Sequence, residues 1–156
     1  MSDPLKIFIY PGKLFASEIP YHLSTILGSC VSVCLFDEVK KIGGMNHYML
    51  PLWNGDGLAS PKYGNVAIDL LLQKMYSLGC RKNNIKAKIF GGASVIKNTC
   101  ELYNIGERNI QLAQEMLGKE NIKIIASSVG GVNGRKILMD TQSFQIRHQF
   151  IEKQNF

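Results

Sequence analysis

Val31-Ser32-Val33-Cys34-Leu35-Phe36-Asp37 decides the fold. The stretch is β-branched and aromatic, and seven residues are too few for an ordinary helix. Its apolar residues fall on both faces, so it reads as a central strand covered on each side. A charged turn with Lys40 and Lys41 follows, then Gly43-Gly44, then Met45 to Leu50 as a returning strand ended by Pro51. This predicts an antiparallel hairpin turning between about Glu38 and Gly43.

Working outward, Leu5 to Tyr10 reads as a strand stopped by Pro11-Gly12. Leu52 to Pro61 is a surface loop by its Gly, Asn and Asp content. A helix is expected between Pro61 and Leu78, where Ala67, Leu70, Leu71, Met75 and Leu78 share helical spacing and Gly79 suits the C′ position. Ala87 to Phe90 reads as a strand ending at Gly91-Gly92. A second helix runs from Ile105 to Leu117, opened by Asn104 with Glu107 in a capping-box pattern and closed by Gly118. Ile122 to Ala126, Lys136 to Met139 and Phe144 to Ile151 read as strands, with a turn over Gly130 to Arg135. Two main helices among many strands predict a mixed α/β or α+β sandwich, a single domain spanning residues 1–156.

Hydrophobic residues make up 46% of the 156, enough for a packed core, and the 19% charged is too little for a disordered chain. Eighteen Lys and Arg against 12 Asp and Glu give a net charge of +6, compatible with acidic partners. The first residues lack the long apolar core of a signal peptide, and no stretch is long and apolar enough for a membrane span. Both features favour the cytoplasm. The four cysteines form no CxxC pair. On one strand, Cys30 and Cys34 would have Cα atoms about 13 Å apart, beyond the roughly 7 Å limit for a disulfide. Reduced thiols are therefore expected.

The local feature richest in chemistry is Leu27-Gly28-Ser29-Cys30 entering the Val31 strand, with Gly43-Gly44-Met45-Asn46-His47 on the next strand. A thiol becomes a nucleophile when a base stands near it, and histidine is the base suited to neutral pH. In a hairpin turning near Lys40, residues whose numbers sum to about 77 to 80 face each other, and Cys30 with His47 gives 77. Gly28 would admit close backbone approach, and amides around Cys30, Ser29 among them, would bind an oxyanion. Cys34 inside its apolar strand reads as core packing, and Cys80 and Cys100 suggest no chemistry. His22, His47 and His148 lack the close spacing to cysteine or carboxylate of a metal site, so no metal or other cofactor is expected. The Gly130-to-Arg135 run reads as a structural turn, since it does not link a strand to a helix as a dinucleotide fingerprint does. Trp53, on the loop after the His47 strand, suits either a substrate groove or a packing anchor.

The segments LGSCVSVCLFD and GGMNHYMLP closely resemble the chemoreceptor glutamine deamidase family, the CheD proteins of bacterial chemotaxis. Further similar pieces follow in order: Tyr63-Gly64, Ala87 to Ala93, Ile105-Gly106-Glu107-Arg108-Asn109, Gly130-Gly131 and Gly134-Arg135. Together they span about Leu23 to Arg135. The resemblance implies an α/β sandwich related to a bacterial toxin deamidase domain. It places the nucleophile on Cys30 and the histidine on His47, and a third residue on either Ser24 or Thr25, with Thr25 preferred by residue type. Thr141-Gln142 departs from the Thr-Gly of the family, in a turn far from the proposed chemistry.

The activity implied is deamidation of glutamines on methyl-accepting chemotaxis receptors, with Gly28, Ser29, Asn46 and Trp53 beside the substrate. Family members also bind the phosphatase CheC, which makes a non-catalytic regulatory module the rival reading. A nucleic-acid binder is suggested by the +6 charge alone, without a recognition helix, a stacking motif or a dense basic run.

Overall fold

A computed structural model describes residues 3–94 and 104–152 of the chain. Cys100 lies outside the described residues. Among the described residues, nine strands and two α-helices appear in the order β1 Leu5–Phe8, β2 Leu14–Ser17, β3 Tyr21–Leu27, β4 Val31–Asp37, β5 Ile42–Asn46, α1 Gly64–Ser77, β6 Ile85–Gly91, α2 Ile105–Lys119, β7 Lys123–Val129, β8 Arg135–Asp140 and β9 Ile146–Phe150. They build a mixed α+β sandwich of two sheets, ordered β1-β3-β8-β9 and β2-β5-β4-β6-β7.

β4 sits at the centre of the five-stranded sheet, antiparallel to β5 on one side and β6 on the other. Every residue of β4 is buried, because both of its faces are covered. Val31, Val33 and Leu35 pack with Ala67, Ile68, Leu71 and Met75 of α1 and Leu117 of α2. On the opposite face Cys34 and Phe36 pack with Leu23 and Leu27 of β3 and Ile137 and Met139 of β8. The five-stranded sheet thus lies between the helices and the second sheet. Period-2 alternation on β4 feeds both hydrophobic layers from one strand.

Several element boundaries differ from the sequence reading. β5 ends at Asn46 rather than Leu50, because the Asn46 side chain takes the Val33 N–H that backbone pairing would have used. β2 and β3 have weak alternation, with Ser, Thr and Ala among the apolar residues, and the reading missed both. Leu70 is 41% exposed, off the buried stripe of α1. Gly118 lies inside α2, which continues to Lys119; the left-handed residue after this helix is Asn121, at φ 55°. Gly79, at φ 92°, follows the α1 cap as expected, and Asn104 Oδ1 accepts from Glu107 N–H at the start of α2.

Candidate active site

The hairpin register sums to 79, from Asp37 with Ile42 to Cys34 with Met45, and again where Val31 bridges Tyr48. Cys30 and His47 therefore stand diagonally, two steps from direct opposition. Diagonal neighbours on one sheet face are about 7–8 Å apart at Cα, close enough for side chains to meet. Both side chains lie in the layer between the sheets. Cys30 is half-buried against the inter-sheet core, and His47 reaches across to Thr25 on β3 of the other sheet.

Of Ser24 and Thr25, Thr25 is the one whose side chain meets His47. Thr25 Oγ1 is 2.6 Å from the Ile9 carbonyl and 2.7 Å from His47 Nδ1. The carbonyl only accepts, so the Thr25 hydroxyl donates to it. The Thr25 oxygen then accepts from Nδ1–H of His47, which also lies 3.3 Å from the same carbonyl. This network assigns the proton to Nδ1 and leaves a lone pair on Nε2. Nε2 is buried and has no partner among the described residues. Ser24, one step along β3, has its side chain on the other face and its carbonyl bonded to Ile9 N–H.

Burial raises the Cys30 pKa, opposed by a hydrogen bond from its own backbone N–H. Burial lowers the His47 pKa, opposed by the Ile9 carbonyl. Both shifts favour a neutral thiol beside a neutral imidazole, rather than the preformed thiolate of a cationic pocket. Such a pair carries no standing charge and is set to move one proton when a substrate arrives. Cys34 is fully buried, its pKa pushed up to about 12 by burial, which fits packing. Cys80 is also buried and pushed up to about 11.

The backbone before the thiol is tightly held. Gly28 O accepts from Ala93 N–H at 2.9 Å, Ser29 O from Asn109 Nδ2 at 3.0 Å, and Cys30 O from Gly92 N–H at 2.8 Å. The peptides are trans, so the N–H groups of Ser29 and Cys30 point away from those anchored carbonyls. That pair of amides suits a developing oxyanion. Gly91, at φ 106°, lets β6 pass so close that a Cβ there would strike the Cys30 carbonyl oxygen.

The other expected substrate contacts divide. Asn46 is wholly buried, its Oδ1 accepting from Val33 N–H, and offers no surface to a substrate. Its role there is to join β4 to β5. Trp53 is half-buried, its Nε1–H donating to Asp56 O within the same loop and its backbone N–H to Asn65 Oδ1. Exposed Met49, Leu50, Leu52 and Leu58 lie along the segment that leads to and through its loop, and Met49 directly follows the Tyr48 that bridges Val31. Sequence reasoning missed Ile9 and Asn109. Asn109 closes the Ile105-to-Asn109 piece that resembles the family, but its role, like that of Ile9, depends on contacts between distant segments.

His22 lies 3.9 Å from Asp140 at the surface, and His148 bonds Ser128, so neither joins the site. Among the described residues no group of three or more His, Cys, Asp or Glu side chains is placed to hold a metal ion. No helix among them is long and apolar enough to cross a membrane.

A family model described as CheD chemotactic sensory transduction matches residues 49–149, just past His47. Similarity to whole proteins extends over the proposed pair. The chain is 47% identical over 154 residues to the "Probable chemoreceptor glutamine deamidase CheD" of Sulfurimonas denitrificans, covering 97% of each. It is 46% identical to the protein of the same description from Trichlorobacter lovleyi, covering 88% of this chain and 86% of that one. The crystal structure of Bacillus licheniformis hypothetical protein YfiH is similar at a TM-score of 0.41 and 18% identity, covering 70% of this chain and 49% of that one.

Proposed function

The chain belongs to the CheD family, and we propose that it is a protein-glutamine deamidase acting on methyl-accepting chemotaxis receptors. The observation that carries this reading is His47, with Nδ1 committed to Thr25 and Nε2, on the face shared with Cys30, without a partner among the described residues. Residues 1–156 act in it as one domain, since both hydrophobic layers share β4.

His47 Nε2 takes the Cys30 proton as the sulfur attacks the carboxamide carbon of a receptor glutamine. The carbonyl oxygen gains charge and is held by the Ser29 and Cys30 amides, with Gly28 leaving room for the approach. The proton on Nε2 passes to the nitrogen, the C–N bond breaks, and ammonia departs, leaving a thioester on Cys30. His47 then takes a proton from water, the hydroxide attacks the thioester, and the proton returns to sulfur as glutamate is released. Thr25 holds the ring orientation and tautomer through both steps. This chemistry uses no metal.

The net charge of +6 favours approach to acidic receptor stretches, and the reaction belongs in the cytoplasm, where receptor signalling regions lie. A regulatory role for the same face is supported by the exposed apolar residues Met49 and Leu50, which follow the His47 segment in the chain, with Leu52 and Leu58 on the loop beyond. A CheC-type phosphatase covering that rim, with Trp53 beneath it, competes with receptor in our reading. Mass spectrometry of purified receptor after incubation tests the activity, since each Gln-to-Glu conversion adds about 1 Da as NH₂ is exchanged for OH. An unchanged receptor mass contradicts the reading.

A further inference from the structure

Asn109 lies on α2 and is wholly buried. Its Nδ2 donates to the Ser29 carbonyl and to the Met49 carbonyl, each at 3.0 Å. Its backbone carbonyl accepts from the Tyr48 hydroxyl at 2.5 Å. Ser29 immediately precedes Cys30, and Tyr48-Met49 immediately follow His47. One residue of the helix layer therefore grips both segments that present the nucleophile and the base.

The consequences reach the reacting atoms. Across the trans Ser29–Cys30 peptide, fixing the Ser29 carbonyl fixes the opposite aim of the Cys30 N–H. Fixing Ser29 and Met49 to one amide also sets the separation of their strands just where β5 has left regular pairing at Asn46. The two carbonyl partners orient the amide, and Asn109 Oδ1 has no partner among the described residues. An unpaired buried acceptor is unfavourable, yet an apolar side chain would leave two buried carbonyls bare instead. The local arrangement favours holding those carbonyls over satisfying the amide itself.

We infer that Asn109 is a positioning residue, clamping Ser29 and Met49 to α2 so that the Cys30 thiol, the Cys30 N–H and the His47 imidazole keep their reactive alignment. Its consequence for turnover rests on the deamidase reading; its consequence for the thiol does not.

The test compares native protein with Asn109→Leu, which removes the donors, and Asn109→Ser, which keeps one. The first readout is the pH dependence of Cys30 alkylation, measured without receptor. The Asn109→Leu profile is expected to move to that of His47→Asn, because a displaced imidazole no longer assists the thiol. The second readout is receptor deamidation. Misplacement by about 1 Å lowers rates by roughly 10²-fold, so kcat should fall on that scale with KM within about twofold of native. If Asn109→Leu loses its native circular dichroism, Asn109→Ser decides, with an expected kcat loss of about tenfold. A folded variant with native labelling and native kcat overturns the positioning role while leaving the deamidase reading intact. A shifted Asn109→Leu labelling profile, alongside native protein that never alters receptor, supports the clamp and overturns the deamidase reading.

Discussion

Thr25 Oγ1, on β3 of one sheet, and His47 Nδ1, just past the end of β5 of the other, are 2.7 Å apart. That single hydrogen bond joins the sheets at the point where the histidine must be aimed. It also fixes the tautomer, because the Thr25 proton is already given to the Ile9 carbonyl.

Thr25→Val should therefore lower kcat by about 10²-fold, since an imidazole of undetermined tautomer loses much of its value as a base. Thr25→Ser keeps the hydroxyl and should recover most of the activity. Steady-state kinetics on receptor would check both, and equal activity of the Val and Ser variants would remove the hydroxyl from the mechanism.

Thiol alkylation should be selective. Cys30 is half-buried, whereas Cys34 and Cys80 are buried with pKa values pushed up to about 12 and about 11. Iodoacetamide on folded protein should label the Cys30 peptide before those of Cys34 and Cys80, and peptide mapping identifies the site. Prior labelling of Cys34 would show that the wrong thiol has been chosen.

The pH dependence follows from the depressed His47 pKa, caused first by burial. His47 stays neutral below the ordinary histidine value of about 6.5, so the acid limb of kcat/KM should have its midpoint below that pH. The stability effect has the same origin. As pH falls below about 6.5 the unfolded chain binds the His47 proton before the folded chain does. Stability contributed by keeping this imidazole neutral is thus full above about pH 6.5 and is lost as pH falls toward the folded pKa. Urea midpoints of native protein should drop more steeply than those of His47→Asn across that window; parallel curves would contradict the assignment.

Gly91→Ala probes the backbone under the thiol. The φ of 106° disfavours any side chain, and the added methyl meets the Cys30 carbonyl oxygen. A stability loss of about 1–3 kcal/mol is expected from strain of this kind, with a fall in activity as Cys30 shifts. Chemical denaturation and deamidation assays on the same preparation check the two effects.

Much of this architecture is legible in the sequence where one residue type or period dominates. β4 is readable because apolar residues fall on both of its faces, and α2 because Asn104 and Glu107 mark its start. Cys30 and His47 are readable from the strands they flank, just before β4 and just after β5, with the register offset by two from direct opposition. The rest is written in contacts between distant segments. β3 carries polar Ser24 and Thr25 among its apolar residues, so its pattern is weak, although Thr25 proves to be the side chain that reaches His47. Asn46 looks available for substrate as a polar neighbour of His47, but its amide replaces a backbone hydrogen bond inside the sheet. Asn109 reads as an ordinary helix residue until α2 is packed against the Ser29 and Met49 carbonyls.

In the proposed mechanism, Cys30 carries the bond-making step of glutamine deamidation. That role is tested most directly by the mass of purified receptor after parallel incubation with native protein and with Cys30→Ala. The exchange of NH₂ for OH should raise the receptor mass by about 1 Da per glutamine with native protein and leave it unchanged with a folded Cys30→Ala variant. Conversion at the native rate by folded Cys30→Ala would contradict the account.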